Sequence, residues 1–301
     1  MKLETIAILS PGDMGHAVGR VLKQRDFRVV TCLNGRSART RSLAKTAGLE
    51  ELPTIAELVA TSDLILSIVA PVGAMPLARV LAAAITKTGV RPYFAECNAV
   101  SPRTAAQINS LITVAGGRFI DASIIGPPPG KGEAPRFYTS GIHAPVMSRL
   151  QSPDMQVRTI GDKVGAASGI KMCYAALTKG SQALWVALLM AARRMDLSDE
   201  LRAEFEHSQT ATLAQMEKQL PGMVAKAPRW VAEMEEIAAT FENVGVVSGF
   251  HQGAAEVYRM IAATPFATET PETLDTGHTL EQTLATIAGS WIANQHSGTD
   301  S

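Results

Sequence analysis

The first 160 or so residues alternate between short apolar runs and longer stretches in which apolar residues recur every three or four positions. The short runs predict β-strands and the longer stretches predict amphipathic helices. Runs as apolar as LILSIV are typical of a parallel sheet that helices cover on both faces. The predicted strands are TIAIL, RVVTCL, DLILSIVA, PYFAEC, RFIDASII, RFYTSG and QVRTIG. The predicted helices lie near residues 13–25, 38–47, 76–84 and 102–115.

The pattern changes after Gly161. From Val164 to Ala262 the chain is rich in Ala, Leu, Met and Glu, which predicts long helices separated at LPGM (220–223) and VGVVSG (244–249). We therefore predict an α/β domain over residues 1–162 and an all-α domain over 163–301. The polar, proline-containing segment TPFATETPETLDTG predicts an extended arm before a last short helix.

Composition excludes several classes of partner. Lys and Arg together number 28, as do Asp and Glu, so no net charge attracts nucleic acid or an anionic membrane. Cys32, Cys97 and Cys173 are widely spaced in apolar sequence, which favours reduced cytoplasmic thiols over a disulfide framework or a zinc site. No cluster of His, Cys or carboxylate residues has metal-ligand spacing, and we predict no metal. The apolar run ALWVALLMAA is about half the length that a bilayer requires, so it predicts a core helix.

The turn after the first strand, SPGDMG, has the small residues of a dinucleotide-binding loop. Gly12 and Gly15 occupy the positions that let the backbone approach a pyrophosphate and let helix and strand pack closely. Ser10 takes the place of the first glycine, and Pro11 after it is expected to restrict Ser10 to extended conformations. The backbone around Asp13 and Met14 would then direct N–H groups at the phosphates. The alternative is an ordinary small-residue turn between strand and helix.

The end of the second strand indicates which dinucleotide binds. A site that prefers NAD offers an acidic residue to the ribose hydroxyls at this point, whereas this chain has NGRSART over residues 34–40. Arg36 and Arg39 can bind a 2′-phosphate through charge-assisted hydrogen bonds, with Ser37 as a further donor and Asn34 and Gly35 as further expected cofactor contacts. We therefore predict NADP(H) as the cofactor. The alternative is that the arginines only solvate the start of a helix.

Four motifs in order resemble those of the β-hydroxyacid dehydrogenases, relatives of 6-phosphogluconate dehydrogenase. SPGDMG is similar to their G-x-G-x-M-G, ECNAVSP to D-x-S-T-x-x-P, DASIIGP to D-A-P-V-S-G-G, and GAASGIKMCYAALTKG to G-x-G-x-x-x-K-x-x-N-N. The segment APRWVAEMEEIAATFENVGV further resembles the C-terminal domain, of unknown function, of a less characterised bacterial branch. The resemblance implies an α/β Rossmann-like N-terminal domain followed by an all-α C-terminal domain.

The resemblance also implies a chemistry and a set of site residues. It makes the protein an NADP(H)-dependent oxidoreductase that acts on a hydroxyl or carbonyl group of a small, anionic substrate of β-hydroxyacid or sugar-acid type. Lys171 would be the general acid/base, with Tyr174 beside it. A homodimer formed through the helical domain is expected. The further expected cofactor contacts are Val69, Ala70 and Asn98, and the expected substrate contacts are Ser123, Ile125, Gly126, Lys171 and Thr178.

The chain departs from the family pattern at several positions. Tyr174 and Ala175 stand where the family has Asn-Asn, and Ile125-Gly126-Pro127 stands where Ser-Gly-Gly would hold a substrate carboxylate. Lys131 and Arg136 can supply positive charge instead. These departures leave two alternatives open, an NADPH-dependent imine reductase or reductive aminase and a non-catalytic NADP(H) sensor.

Two side chains outside the motifs are also assigned. His251 either lines the substrate site or, as the favoured assignment, caps a helix or lies on the surface. Lys179 is expected to be a solvated or capping group.

Overall fold

The computed structural model describes residues 3–270, 273–275 and 277–296. The chain divides into two compact units, the first ending at Met172 and the second beginning at Cys173. The first unit contains one eight-stranded sheet in the order β3-β2-β1-β4-β5-β6-β7-β8. Its strands are β1 (Thr5–Leu9), β2 (Arg28–Thr31), β3 (Glu50–Glu51), β4 (Leu64–Ser67), β5 (Tyr93–Glu96), β6 (Arg118–Ile125), β7 (Arg136–Ser140) and β8 (Gln156–Thr159).

Helices cover both faces of this sheet. The α-helices are α1 (Asp13–Lys23), α2 (Ala38–Thr46), α3 (Ile55–Thr61), α4 (Pro71–Thr88) and α5 (Pro102–Val114), and a 3₁₀ helix spans Ala144–Leu150. On one face, Val18 and Leu22 of α1 pack with Ile8 and Leu66 of the sheet. On the other face, α4 and α5 pack against alternate residues of the same strands, which include Ile65, Phe94 and Phe119. The apolar strands are therefore buried on both sides, as their sequences require.

The predicted α/β pattern is confirmed, with local differences. The seven predicted strands are present, but β7 runs antiparallel to β6 and the short elements β3 and α3 were not predicted. Helix α4 starts at Pro71 and not near Pro76, because Pro71 lies in the first helical turn, where a missing N–H costs nothing. Pro76 is accommodated inside the helix.

The second unit is helical throughout its regular elements. Helix α6 (Ala166–Arg194) begins in the first unit and continues into the second. The helices that follow are α7 (Ser198–Ser208), α8 (Thr210–Met223), α9 (Ala227–Asn243), α10 (Gly249–Ala262) and α11 (Leu280–His296), with 3₁₀ turns at Val224–Lys226 and Pro265–Thr268. The break at VGVVSG is present. At LPGM the helix runs on to Met223 before it tightens, and a further break occurs at Asp196, whose φ is 58°.

Two predictions about the ends of this domain need adjustment. The division after Met172 lies ten residues beyond the predicted boundary at 162, because the first turn of α6 is hydrogen-bonded to Asp121 of the sheet. The predicted extended arm contains the 3₁₀ turn Pro265–Thr268, and Pro271, Glu272 and Thr276 of it lie outside the described residues.

Lys179 has a structural role that differs from the expected solvated one. Its side chain is 12% exposed and pairs with the buried carboxylate of Glu233. The ammonium lies 5.2 Å from the ring centroid of Trp230, and the Tyr258 hydroxyl donates to the Lys179 carbonyl at 2.6 Å. Because these partners lie on α9 and α10, Lys179 ties three helices together.

Helix α6 is long and apolar enough to cross a membrane by length and composition. Its contacts are those of a helix packed within a protein. The first turn is bonded to Asp121, and further along Lys179 pairs with Glu233 while the Gln182 amide donates to Gln219 Oε1 at 3.1 Å. One face of α6 is therefore packed as the prediction of a core helix requires, whereas Leu177 and Leu184 on the same helix are 69% and 62% exposed.

Candidate functional site

The loop between β1 and α1 forms its turn with Ser10 in a left-handed conformation. Ser10 has a φ of 60°, so the prediction that Pro11 keeps it extended is wrong. The reason is tertiary: the chain must reverse sharply after a buried strand, and the Gly12 N–H closes the turn on the Ser10 carbonyl at 2.7 Å. Ser10 thus adopts the backbone that a glycine usually supplies, at a cost of about 1–2 kcal/mol.

Gly12 and Gly15 have different roles in this loop. A Cβ on Gly12 would have only the Ser10 carbonyl oxygen nearby, at 4.0 Å, so the space over the helix start is open. A Cβ on Gly15 would lie 3.2 Å from the Ile8 side chain, so this glycine lets α1 approach β1. No side chain caps α1 at Gly12. The N–H groups of the first turn, at Asp13, Met14 and Gly15, are therefore available to an anion.

The two arginines after β2 differ in their contacts. Arg39 donates to the Asp13 carboxylate at 2.6 Å, and both side chains are 34% exposed. Arg36 is half-buried, and its guanidinium has no hydrogen-bond or ion-pair partner within the described parts of the chain. Arg36 follows a turn in which its N–H donates to the Leu33 carbonyl at 3.0 Å and Gly35 has a φ of 72°. Arg36 is thus the arginine of this pair that is open to a ligand.

The polar neighbours of these arginines are engaged in local structure. The Asn34 amide donates to the Pro53 carbonyl at 2.6 Å. Ser37 caps α2, its hydroxyl oxygen accepting the Thr40 N–H at 3.2 Å. Both residues fix the turn, and the α2 cap engages the Ser37 oxygen as an acceptor.

The ends of β4 and β5 are joined through one buried amide. Asn98 Oδ1 accepts the Val69 N–H at 2.5 Å, and Asn98 Nδ2 donates to Ser67 Oγ at 3.0 Å and to the Glu96 carboxyl group. Ala70 then starts α4 as its N-cap residue. Asn98 is 4% exposed, so its amide holds the loop at Val69–Ala70 from within.

Asp121 on β6 fixes the start of α6. Its Oδ2 accepts the N–H groups of Gly165, Ala167 and Ser168 at 2.8–3.2 Å, together with the Ser140 hydroxyl at 2.8 Å. Its Oδ1 accepts the Ser168 hydroxyl at 2.6 Å. A fully buried carboxylate therefore caps a helix from a neighbouring strand, where the helix dipole favours negative charge.

Lys171 lies one turn beyond this cap. Its Nζ donates to the Ile124 carbonyl at 2.8 Å, which directs the ammonium to the carboxyl end of β6. Ser123 is fully buried nearby on the same strand, and its hydroxyl has no hydrogen-bond partner within the described chain. The cap on α6 and the bond to Ile124 together fix where the amine is held.

The segment after β6 supplies shape but few donors. Ile125 is buried, and Gly126 has a φ of 118° and would place a Cβ 3.2 Å from the Pro135 backbone. Only glycine fits there. Arg136 pairs with Glu133 at 3.4 Å, and Lys131 is exposed.

The predicted residues of the second unit have different environments. Tyr174 is 46% exposed, and the Thr178 hydroxyl donates to the Tyr174 carbonyl at 3.2 Å. His251 is neither a cap nor a surface residue: it is 9% exposed and packs edge-on against Phe241, with ring centroids 4.4 Å apart. Burial lowers the pKa of its imidazole. His251 lines an apolar groove of about 430 Å³ between α6 and α10.

The first unit fits a dinucleotide. The uncapped N-terminus of α1, with open space at Gly12, is the feature that a pyrophosphate needs. Among the side chains that the structure describes, no three of His, Cys, Asp or Glu lie together as metal ligands. Cys32 and Cys97 are buried free thiols, and Cys173 is an exposed one.

Comparison with known protein families agrees with this architecture. Residues 5–151 match the NAD binding domain of 6-phosphogluconate dehydrogenase, and residues 192–261 match a domain of unknown function. Residues 5–151 therefore form an NAD-binding domain of the 6-phosphogluconate dehydrogenase type, and residues 192–261 form a domain of the second kind. The first unit of this chain is thus a dinucleotide-binding domain, and its helical unit is of the less characterised type that the sequence indicated.

One relative of known sequence and three solved structures are similar to this chain. An uncharacterized 28.5 kDa protein of Methanothermus fervidus is 29% identical over 206 residues, which are 68% of this chain and 77% of the relative. A conserved protein of unknown function, described as structurally similar to 3-hydroxyacid dehydrogenases, is 26% identical with a TM-score of 0.61, over 86% of this chain and 96% of that one.

The other two structures share the fold at lower identity. The 3-hydroxyisobutyrate dehydrogenase of Mycobacterium tuberculosis is 17% identical with a TM-score of 0.66, over 95% of this chain and 99% of that one. An imine reductase of Bacillus cereus is 16% identical with a TM-score of 0.53, over 90% of this chain and 97% of that one. The fold of this chain is thus shared by a hydroxyacid dehydrogenase and an imine reductase.

Sequence reasoning did not find two residues that organise the site. Asp121 was noted only as part of a motif, and Glu96 only as the first letter of another. A buried carboxylate at the end of an apolar strand was the available signal, since such a group requires partners.

Proposed function

We propose that this protein is an NADP(H)-dependent oxidoreductase that transfers hydride to or from a hydroxyl/carbonyl carbon of a small anionic substrate. The observation that carries the proposal is the Lys171 ammonium, held on the Ile124 carbonyl at 2.8 Å by a helix whose start is fixed by Asp121. An amine oriented in this way can exchange a proton with a substrate oxygen. The family fold and the uncapped α1 support the dinucleotide part.

Lys171 would act on the substrate oxygen. A nicotinamide held by the first unit would supply the hydride in the reducing direction. The Lys171 ammonium would give a proton to the carbonyl oxygen, so that the C=O would become CH–OH. The neutral amine is then reprotonated from solvent. In the oxidising direction the neutral amine takes the hydroxyl proton. The buried Ser123 hydroxyl on the same strand is a candidate to hold that oxygen.

The preference for NADP(H) rests on Arg36 and Arg39. Arg36 has no partner among the residues that the structure describes, so its guanidinium can turn fully to a 2′-phosphate. Arg39 is shared with Asp13 at 2.6 Å, and the phosphate competes with that carboxylate for it. We therefore assign the larger share of 2′-phosphate recognition to Arg36.

Lys171 substitutions test the catalytic role. Lys171→Ala should leave folding and NADPH affinity nearly intact while turnover falls by about two to four orders of magnitude, the usual worth of a general acid. Lys171→Arg should restore little, because a guanidinium does not release its proton. The control is Lys163→Ala, since Lys163 is exposed just before the same helix. Retained turnover in Lys171→Ala would refute the role.

Arginine substitutions test the cofactor. Removing both Arg36 and Arg39 should weaken NADPH binding far more than NADH binding, because each charge-assisted phosphate contact contributes about 1.5–3 kcal/mol. Arg36→Ala alone should account for more of the loss than Arg39→Ala. Fluorescence titration of the four proteins with both nucleotides measures this, and an unchanged preference in the double variant would contradict NADP(H) selection.

A second candidate is an NADPH-dependent imine reductase or reductive aminase. The observation that favours it is the segment Ile125-Gly126-Pro127, which is apolar and lacks the donors that a carboxylate needs. Cyclic imines and hydroxy or keto acids can be assayed side by side, and turnover of imines alone would replace the first proposal. A protein that binds NADPH tightly and turns over neither class would instead be a sensor.

We further propose a cytoplasmic homodimer with a small-molecule substrate and without nucleic acid or membrane as a partner. The apolar groove of the helical unit supports association, since Leu177, Leu184 and Phe250 beside it are 69%, 62% and 83% exposed. Burying such side chains against a second copy is favourable by about 25 cal/mol per Å². Light scattering at micromolar concentration measures the association directly.

A further inference from the structure

Four adjacent strands place a row of polar residues on one face of the sheet. Ser67 of β4 is in register with Glu96 of β5, Glu96 with Asp121 of β6, and Asp121 with Ser140 of β7. All four are fully buried. The row runs from the loop at Val69, the predicted cofactor contact, to the start of the helix that carries Lys171.

The two carboxyl groups of this row have unequal partners. Asp121 accepts five hydrogen bonds, from three backbone N–H groups and two hydroxyls, as an ionised carboxylate at a helix N-terminus does. Glu96 Oε1 accepts from the Asn98 side chain and from the Asn98 N–H at 3.1 Å. Glu96 Oε2 has no hydrogen-bond partner within the part of the chain that the structure describes.

We propose that Glu96 is a positioning residue that is held as a neutral carboxylic acid and orients the Asn98 amide, so that Asn98 can bind the Val69 N–H and fix the loop leading into α4. The role of that loop in cofactor binding rests on the proposed function. The protonation state of Glu96 does not rest on the proposed function, because that state follows from the burial of Glu96 and from the neighbouring Asp121 carboxylate.

Burial and a neighbouring charge outweigh the hydrogen bonds that would favour the charged form of Glu96. Burial is the largest cause and, with the Asp121 charge, raises the pKa of Glu96 to about 8, although hydrogen bonding by Asn98 and Ser67 opposes the rise. The adjacent Cys97 thiol has a pKa well above its usual value, so it stays neutral over the same range. Helices α4 and α5 contribute apolar side chains to the cluster on this face.

Loss of the proton has a structural consequence. An ionised Glu96 would place a second charge beside Asp121 in a fully buried position, and it would attract the Asn98 amide away from Ser67. The Val69 N–H would then lose its fixed acceptor. Wild-type protein should therefore lose its ordered loop as the pH rises through about 8.

The first test needs no cofactor. Because the folded-state pKa of Glu96 lies above its unfolded value, its contribution to stability is fully present below about pH 4.5 and decreases as the pH rises to about 8. Glu96→Gln has the shape of the neutral acid and no such dependence. The unfolding equilibrium constant of wild type relative to Glu96→Gln should rise by up to about tenfold per pH unit over this range.

Controls keep this test decisive. Glu200→Gln, an exposed site on α7, should give no such pH-dependent difference from wild type. If Glu96→Gln does not fold, the ¹³C carboxyl signal of Glu96 in wild type can be titrated directly, and it should change near pH 8. A constant difference between wild type and Glu96→Gln from pH 5 to 9, or a Glu96 signal that titrates near pH 4–5, would overturn the neutral state.

The second test measures the loop. Between pH 7 and 9 the NADPH affinity of wild type should fall by about tenfold, as the competent population decreases to about a tenth, while that of Glu96→Gln should stay constant. Equal pH dependence in both proteins would overturn the positioning role. Absence of NADPH binding at every pH would overturn the proposed function instead and leave the stability result standing.

Discussion

Two helix N-termini in the first unit differ in whether a side chain caps them. Helix α1 begins at Gly12 without any side-chain cap, and the space over its first turn is open. Helix α6 begins under the Asp121 carboxylate, which takes up three backbone N–H groups and the hydroxyl of Ser168. Both ends have the same orphan donors and the same positive dipole end.

The difference separates binding from positioning. An uncapped helix start keeps its donors for a phosphate that arrives from solution, so α1 is suited to a cofactor. A helix start capped from a neighbouring strand is fixed to the sheet, so α6 holds Lys171 in one place. The comparison implies that removing the cap from α6 should damage stability, whereas adding one to α1 should damage binding.

The largest expected effect is at Asp121. Asp121→Ala leaves the buried donors of α6 without an acceptor, and the free energy of unfolding should fall by about 3–5 kcal/mol. The free energy of unfolding of Asp121→Asn should lie between those of wild type and Asp121→Ala, because the amide keeps one oxygen as an acceptor. Urea unfolding measures both. Asp162→Ala, exposed near the same helix, serves as control and should change stability by less than about 0.5 kcal/mol. A loss at Asp121 no larger than the control would show that the cap is not needed.

A smaller effect is expected when α1 is given a cap of its own. Gly12→Asp meets no steric obstacle, since Gly12 has a φ of −75° and open space at its Cβ position. The new carboxylate should stabilise the helix by about 0.5 kcal/mol. It should weaken dinucleotide binding by about 10- to 100-fold, because it occupies the donors and repels the phosphates.

Gly12→Ala is the matched control for this substitution. It adds the same Cβ without the charge, so its effect on NADPH and NADH titrations should be much smaller. Equal losses in both variants would mean that space at Gly12, and not the free N–H groups, governs binding.

The smallest effect concerns the turn before α1. Ser10→Gly removes the strain of a serine at a φ of 60°, while the unfolded chain gains freedom, so the net gain in stability should be about 0.5–1 kcal/mol. Thermal unfolding against wild type measures it. Ser10→Ala keeps the strained backbone and should not be stabilised. A destabilised glycine variant would indicate that the Ser10 hydroxyl contributes more than the strain costs.

The candidate site was only partly accessible to sequence reasoning. The glycine loop and Lys171 were found because motif spacing along the chain is sufficient to identify them. Arg36 and Arg39 were predicted as equals, and the structure separates them because Asp13, twenty-six positions from Arg39, pairs with only one of the two. Glu96 was not singled out, because its environment depends on Asp121 of the neighbouring strand β6 and on Asn98, which follows β5.

The sequence by itself determined the class of the fold and most of its secondary elements, though not the short β3 and α3. Short apolar runs between amphipathic segments have only one way to bury both faces of each strand, and that is a helix-covered parallel sheet. Tertiary structure alone decided the left-handed Ser10, the antiparallel β7, the cap by Asp121 and the buried environments of Glu96 and His251. The physical reason is that local patterns specify which residues are buried. The partners of a buried polar group are set by which strands and helices become neighbours.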